Sequence, residues 1–154
     1  MRMKLRDPMP SLDGATGRAN GDATKNALVG SPALVLFWAA SCSCCAALLA
    51  RVEAWRTAYG VQAVGVHVPR GATDDEASAR RAIERSGAAY PVLLDGEGTL
   101  ARAFGAARVP ALYVFDAAGR LRHAQVGDRG LALLERRVRT VAQAIHMNRE
   151  GSAE

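Results

Sequence analysis

The sequence is organised around a turn at which an apolar segment meets three cysteines. Residues Ala33–Trp38 form an unbroken apolar run, and Cys42, Cys44 and Cys45 follow shortly afterwards. A continuous apolar run predicts a central strand that is covered on both faces. The next segment, 46–59, places apolar residues three and four positions apart, which predicts a helix with one buried face. The cysteines therefore lie where a buried strand ends and a helix begins, a position that often carries the chemistry of α/β proteins.

The rest of the chain predicts alternating strands and helices. The first predicted strand covers residues 33–39. Apolar segments that end near glycine or proline predict four more strands, over 61–68, 90–95, 109–116 and 121–126. Helical spacing predicts helices over 73–86, 99–104 and 131–147. We expect Thr73 to cap the first of these, with Glu76 completing a capping box. The order gives a βαβ unit followed by a ββα unit. The predicted fold class is therefore α/β, a central mixed β-sheet with helices on both faces.

The two ends of the chain carry weaker patterns. Glycine, asparagine and proline break the periodicity of residues 1–30, which we interpret as an irregular segment. Within it we expect a short strand near Ser11 and Leu12 and a short helix capped by Asp22. Residues 148–154 are predicted to form a frayed tail. Since the chain shows no linker and no internal repeat, we expect a single domain over residues 1–154.

Charge and hydropathy limit the classes of partner. The chain has 20 Lys and Arg against 15 Asp and Glu, but its arginines are dispersed and form no long basic run. This pattern indicates solvated helix faces, so we expect no nucleic-acid partner. No segment reaches the roughly 18 apolar residues of a membrane span, and the N-terminus lacks the apolar stretch of a signal peptide. We therefore expect a cytoplasmic protein, or an extracytoplasmic one if a leader has been removed. We also expect a monomer.

Cys42 and Cys45 form a Cys-x-x-Cys pair, which is suited to thiol–disulfide exchange. At a helix N-terminus, unpaired N–H groups and the helix dipole would stabilise the thiolate of Cys42, the form that attacks disulfides. Cys45, one helical turn later, could then attack the sulfur of Cys42 and resolve the mixed disulfide. We expect Cys42 to be exposed and Cys45 to be protected. Cys44 lies between them and is predicted to be an exposed third thiol without an essential role.

Two other interpretations of the cysteines remain open. They could be small buried hydrophobic residues, although three thiols at one turn make coincidence a poor explanation. They could also bind zinc or copper. Structural zinc sites use four ligands, however, and the histidines at 67, 123 and 146 are single and scattered. We therefore expect no cofactor and no dedicated metal site, although three thiols can capture a soft metal adventitiously.

These residues resemble the thioredoxin superfamily, in particular its TlpA/ResA-like (redoxin) branch. Residues 37–45 are similar to the motif F-W-A-x-W-C-x-x-C of that branch. Val109 and Pro110 are similar to its cis-proline motif, and segments 90–95 and 113–121 are similar to neighbouring strands. The resemblance covers roughly residues 10–146. It implies a thioredoxin-like fold in which the cis peptide before Pro110 lies against the Cys-x-x-Cys pair.

The resemblance implies a thiol–disulfide oxidoreductase with Cys42 and Cys45 as its catalytic residues. The implied substrate-binding residues surround this pair and are Trp38, Ser41, Ser43, Cys44, Val109 and Pro110. The expected partners are protein disulfide substrates and an unidentified thiol reductant, and in a cytoplasm the protein would most often act as a reductant. His67, near a strand end, and Arg108 are weaker candidates for the active face, and an ordinary surface role is the expectation for both.

Three positions depart from the family pattern. Ser41 stands where the family usually has a second tryptophan, so an apolar cover over the nucleophile is lost. Leu36 stands where thioredoxins have a buried aspartate, and Leu48 stands where ResA-like proteins have a glutamate. Those carboxylates look like proton acceptors for the resolving cysteine. In their absence, the candidates for that role are water, Asp95, Glu97 or another group of the same loop, unless resolution is slow.

Two further classes of function remain as alternatives. A thiol peroxidase of the peroxiredoxin class needs a threonine three residues before its peroxidatic cysteine, whereas this chain has Ala39 at that position. A soft-metal-binding module would use the thiols as ligands. Thiol–disulfide exchange through Cys42 and Cys45 is the main prediction.

Overall fold

The strands and helices alternate along the chain as the sequence predicts. The structure is a computed structural model that describes the backbone of residues 2–152 and the side chains of residues 2–144. Its strands are β1 (Gly17–Ala19), β2 (Ala33–Trp38), β3 (Gln62–His67), β4 (Val92–Leu94), β5 (Ala111–Phe115) and β6 (Leu121–Val126). Its helices are α1 (Lys25–Leu28), α2 (Cys45–Tyr59), α3 (Glu76–Ser86), α4 (Thr99–Phe104) and α5 (Leu131–Ser152).

The strands form one mixed sheet in the order β1-β4-β3-β2-β5-β6. β2 is parallel to β3, and β3 is parallel to β4, because helices α2 and α3 carry the chain back between them. The β2–β5, β5–β6 and β1–β4 pairs are antiparallel. β2-α2-β3 is therefore the expected βαβ unit and β5-β6-α5 the expected ββα unit. The predicted α/β class with a central mixed sheet is confirmed.

The core lies on both faces of β2, and all six residues of this strand are completely buried. Leu34, Leu36 and Trp38 point into a cluster with apolar residues of α2, α3 and α5. The alternate residues Ala33, Val35 and Phe37 point into a second cluster with α1, α4 and the N-terminal segment. Because β2 pairs along both edges and is covered on both faces, the position of its carboxyl end is fixed.

The N-terminal expectations need two corrections. The short strand is β1, at Gly17–Ala19, and not near Ser11 and Leu12; Leu12 is instead a buried core residue of an irregular segment. β1 owes its place to antiparallel pairing with β4, which is distant in sequence. Helix α1 is capped by Thr24, whose hydroxyl accepts the N–H of Ala27. The predicted cap Asp22 is wrong, because that helix begins only at Lys25.

Two helix ends also differ from the prediction. Asp75, and not Thr73, caps α3, because the Asp75 carboxylate accepts the N–H of Ser78 at 2.7 Å. Helix α5 continues to Ser152, so residues 148–152, predicted to be frayed, are helical. The last part of the predicted tail, residues 153–154, lies outside the described residues. Within residues 2–152, no helix is long and apolar enough to cross a membrane.

Replacing Phe37 by alanine is expected to lower the free energy of unfolding by about 3–5 kcal/mol. The ring is completely buried, with its centroid 5.0 Å from that of Phe104 and 5.7 Å from that of Tyr113. The substitution therefore leaves a cavity beneath β2, the strand that leads into the turn with the cysteines (residues 39–44, called the active turn below). Urea unfolding of the oxidised protein measures the loss. Val126→Ala, at a half-exposed position of β6, is the control and should cost less than about 1 kcal/mol. Equal losses at the two positions would contradict this core assignment.

Candidate active site

The turn between β2 and α2 carries the cysteine pair. Cys42 and Cys45 are joined by a disulfide, with their Cα atoms 5.3 Å apart. The N–H of Cys42 donates to the C=O of Ala39 at 3.1 Å, and the N–H of Cys45 donates to the C=O of Cys42 at 3.1 Å. Helix α2 begins at Cys45, so Cys42 lies in the turn that leads into the helix and not within its first turn.

The two bonded cysteines differ in their access to solvent. Cys45 is completely buried and belongs to the apolar cluster that contains Leu36 and Leu48. Cys42 packs against the same cluster but is only partly buried. A disulfide partner that arrives from solvent can therefore reach the sulfur of Cys42 and not that of Cys45. This asymmetry supports Cys42 as the attacking thiol and Cys45 as the resolving thiol.

Cys44 is the free cysteine of the turn, and it lies closer to the reacting pair than expected. It is partly buried, and its Sγ lies 3.5 Å from the Sγ of Cys42. The prediction of a simply exposed third thiol is therefore wrong in one respect, because this sulfur touches the nucleophile. Ser41 and Ser43, the other predicted contacts in the turn, are both exposed.

The peptide bond between Val109 and Pro110 is cis, as the family resemblance implied. It lies directly before β5, in which Ala111 pairs with Phe37 of β2. Continuing that antiparallel register places Pro110 beside Trp38 and Val109 beside the turn that leads to Cys42. Pro110 is buried and Val109 is partly exposed. Among the described residues, the backbone of Val109 forms no hydrogen bond with another backbone group, so it is free to pair with an extended peptide.

Trp38 is not placed to contact a substrate. Its indole is completely buried, and its ring packs edge-on against His67 with the centroids 4.7 Å apart. The sequence-based assignment of Trp38 to substrate binding is therefore corrected, since a docked protein cannot reach its side chain. Arg108, the other weak candidate, is exposed beside Val109, as expected of a surface residue.

Two buried polar side chains near the turn were missed or misjudged from the sequence. His67 is only 2% exposed, and its Nε2 accepts the N–H of Ala40 at 3.2 Å, so the expected surface role is wrong. Asp74 is only 5% exposed, and it accepts hydrogen bonds from the N–H and the hydroxyl of Ser41, both at 2.7 Å. Together they hold the two residues that precede Cys42.

The electrostatics of this pair follow from burial and hydrogen bonding. Burial lowers the pKa of His67, an effect that the nearby charge of Asp74 opposes only in part. The ring is therefore neutral at pH 7, which leaves Nε2 free to accept a hydrogen bond. Burial by itself would raise the pKa of Asp74. The N–H of Arg70, the hydroxyl and N–H of Ser41 and the proximity of His67 together hold it below its usual range.

The two side chains that are candidate proton acceptors for Cys45 lie in the segment between β4 and α4. Asp95 is completely buried, and its carboxylate accepts the N–H groups of Leu100 at 3.0 Å and Ala101 at 2.9 Å at the start of α4. Glu97 is exposed in the turn before that helix. Among the described residues, neither side chain forms a hydrogen bond with Cys45.

Metal-ligand clusters and cavities are the other features that could form a site. Within the described residues, no group of three or more His, Cys, Asp or Glu side chains is arranged to hold a metal ion. A cavity of about 850 Å³ lies beyond the ends of β3 and β4, where Arg70 and Arg102 contribute to its lining. No cysteine lines this cavity, so it is separate from the turn that carries the disulfide.

Comparison with known proteins places these features in a family. A sequence model of the AhpC/TSA family matches residues 5–124. The thiol-disulfide oxidoreductase YkuV of Bacillus subtilis is 39% identical to the chain over 143 residues, which covers 90% of this chain and 97% of YkuV. Protein DipZ of Mycobacterium bovis is 31% identical over 138 residues, which covers 84% of this chain but 20% of DipZ.

A solved structure agrees with this relationship. The solution structure of a thioredoxin-like protein in its oxidised form superposes with a TM-score of 0.84 at 38% sequence identity. The match covers 92% of this chain and 99% of that protein. The oxidised state of that protein corresponds to the state seen here, in which Cys42 and Cys45 are joined.

Replacing His67 by glutamine is expected to make the free energy of unfolding depend less strongly on pH below about 6.5. Because burial lowers the pKa of His67 from 6.5, the unfolded chain takes up a proton below that pH which the folded chain does not. The free energy of unfolding should therefore fall as the pH is lowered through 6.5. This residue contributes at most about 1.4 kcal/mol per pH unit, and its contribution levels off below the folded pKa.

Urea unfolding of the oxidised protein at neutral pH and at about pH 5.5 measures this contribution. Glutamine can still accept the N–H of Ala40, so the loop contact is preserved in the variant. His123→Gln, at a partly buried position of β6, is the matched control. If the free energy of unfolding changes by the same amount between the two pH values in the wild type and in His67→Gln, the fold does not hold His67 neutral.

Proposed function

The chain belongs to the AhpC/TSA family and has the thioredoxin-like fold, and we propose that it is a thiol–disulfide oxidoreductase that acts on protein disulfides through Cys42 and Cys45. The observation that carries this proposal is the Cys42–Cys45 disulfide at the start of α2, with Cys42 partly exposed and Cys45 completely buried. Two cysteines that only filled the core would not show this difference in access.

The chemistry follows from that asymmetry. In the reduced protein the Cys42 thiolate attacks one sulfur of a substrate disulfide, and the other substrate sulfur leaves as a thiolate that takes a proton. Cys45 then loses its proton and attacks the Sγ of Cys42. This step breaks the mixed disulfide, releases the second substrate thiol and forms the Cys42–Cys45 bond. The substrate gains two electrons, and an external thiol reductant returns them to the protein.

Substrate binding is assigned to the surface around Cys42. We assign the exposed side chains of Ser41 and Ser43, the partly buried Cys44 and the free backbone of Val109 to this surface. Pro110 is buried, so its role is to shape the backbone beside the turn. An extended substrate segment can pair with Val109 while its disulfide reaches Cys42, which is a form of strand addition.

The direction of electron transfer and the cellular compartment depend on the reduction potential of the Cys42–Cys45 pair. We propose that the protein acts as a monomeric reductant in a cytoplasm, where thiol systems keep the pair reduced. Its midpoint potential decides the direction of electron flow. A value well above the cytosolic glutathione poise would favour substrate oxidation instead, and would move the proposed compartment outside the cytoplasm.

A redox titration is expected to show one two-electron transition that joins Cys42 to Cys45. The protein is equilibrated in glutathione or dithiol buffers of graded potential, free thiols are alkylated, and labels are located by peptide mapping. Cys44 should be labelled throughout, because it is free when the pair is oxidised. If no Cys42–Cys45 bond forms at any potential, the proposed function is wrong.

Removing the resolving thiol is expected to trap a substrate. In Cys45→Ser the attack by Cys42 still occurs, but the mixed disulfide with a reporter such as insulin should persist in non-reducing electrophoresis. Cys44 is a potential substitute, since its Sγ lies 3.5 Å from that of Cys42. The decisive variant is therefore the double substitution of Cys44 and Cys45 by serine. Cys44→Ser alone is the comparison and should release its substrate.

The same variants test the peroxidase alternative. A peroxidase needs only the attack of Cys42 on hydrogen peroxide in its first step, so Cys45→Ser should keep that step. We expect slow peroxide consumption and fast disulfide reduction by the wild type, because Ala39 supplies no hydroxyl at the position where the peroxidase motif has threonine. Fast peroxide consumption with no trapped mixed disulfide would favour the peroxidase.

A further inference from the structure

Asp74 is a buried carboxylate tied directly to the turn that carries the nucleophile. It lies between β3 and α3, and both of its oxygens are in use. One oxygen accepts the N–H of Ser41, and the other accepts the hydroxyl of Ser41 and the N–H of Arg70, with all three distances at 2.7 Å. Asp74, in the β3–α3 loop, therefore binds Ser41, the residue that immediately precedes Cys42, through two hydrogen bonds.

The carboxylate of Asp74 carries a negative charge inside the fold. Its hydrogen bonds outweigh the effect of burial and hold the pKa of Asp74 below its usual range, so it is ionised at neutral pH. Among the described residues, no lysine or arginine forms an ion pair with Asp74. His67, a titratable neighbour of Asp74, is neutral at pH 7 because burial lowers its pKa. The charge is therefore stabilised mainly by hydrogen bonds from two backbone N–H groups and one hydroxyl.

The other acidic groups near Asp74 are engaged elsewhere. Asp74 shares a small cavity of about 140 Å³ with His67, Glu76 and Asp95. Glu76 accepts a hydrogen bond from Arg80 at 2.9 Å on the surface of α3. Asp95 caps α4 through both of its carboxylate oxygens. Of the acidic groups around this cavity, Asp74 is the one bonded to the active turn.

The negative charge of Asp74 near Cys42 affects the equilibrium between the dithiol and disulfide forms of the Cys42–Cys45 pair. The carboxylate of Asp74 is hydrogen-bonded to Ser41, the residue that directly precedes Cys42 in the chain, so its charge lies near the nucleophile. A like charge at that range disfavours the Cys42 thiolate, whereas the neutral disulfide is not affected. Destabilising the reduced form makes the pair a stronger electron donor.

We propose that Asp74 is a positioning residue that anchors Ser41 and whose charge lowers the reduction potential of the Cys42–Cys45 pair. The inference rests on the proposed function, since it concerns the same pair of cysteines. It also gives Ser41 a role: the side chain at this position holds the carboxylate against the turn. The direction of electron flow is thus set in part by a residue of the β3–α3 loop.

The test compares two aspartates that are neighbours in sequence. Asp74→Asn removes the charge but keeps an oxygen that can accept the N–H of Ser41. Asp75→Asn removes the same charge one residue later, at the exposed cap of α3, where asparagine is also a good cap. We expect Asp74→Asn to favour the reduced form by about tenfold, which corresponds to a rise of about 30 mV in midpoint potential. Asp75→Asn should stay near the wild type.

A second readout separates charge from mere structural support. The rate of Cys42 alkylation by iodoacetamide, followed against pH in the reduced protein, should shift to lower pH in Asp74→Asn and stay unchanged in Asp75→Asn. Loosening of the turn alone would not produce a shift in that direction. Asp74→Glu restores the charge and should return the profile towards that of the wild type.

The outcomes distinguish this inference from the proposed function. If the Cys42–Cys45 transition is present in every protein but its midpoint is the same in Asp74→Asn and the wild type, only the role of Asp74 is overturned. If no transition occurs in the wild type, the proposed function fails first. Should Asp74→Asn not fold, the pair Asp74→Gln and Asp74→Glu, which differ in charge at equal length, must show the same difference in midpoint, and equal midpoints overturn the inference.

Discussion

Complete burial of β2 is the constraint on which the active turn depends. The strand pairs with β3 on one edge and β5 on the other, and its side chains alternate between two apolar clusters. No shift of register is possible without moving a whole set of apolar side chains to the opposite face. The carboxyl end of β2 is therefore fixed, and with it the point at which the chain turns into α2. The same register brings the Val109–Pro110 peptide alongside that point.

Apolar and polar groups lie on different sides of this turn. Cys45 faces the cluster that includes Leu36 and Leu48, the two positions at which related families have a carboxylate. The buried polar groups contact the other end of the turn, where His67 and Asp74 hold Ala40 and Ser41. Charge therefore lies close to the attacking thiol, whereas the resolving thiol lies in an apolar environment.

Features with a local pattern could be predicted from the sequence, and features with a distant partner could not. The apolar run of β2, the helix that ends before Gly60 and the helix over Thr99–Phe104 all follow from residues near each other in the chain. β1 has no such pattern, because three residues become a strand only by pairing with β4. Asp74 stands in an acidic segment that looks like an ordinary helix start, and its partner Ser41 lies in another element.

Ser41 shows why a departure from a family pattern has to be interpreted in three dimensions. In the sequence it is a missing tryptophan, and the expected consequence is a lost cover over the nucleophile. In the structure its backbone N–H and its hydroxyl both donate to Asp74, and a tryptophan at this position would keep the N–H but lose the hydroxyl. The smaller side chain leaves Cys42 partly open to solvent and exchanges an apolar contact for a charged one. Position 41 thus affects both access to the sulfur and the charge beside it.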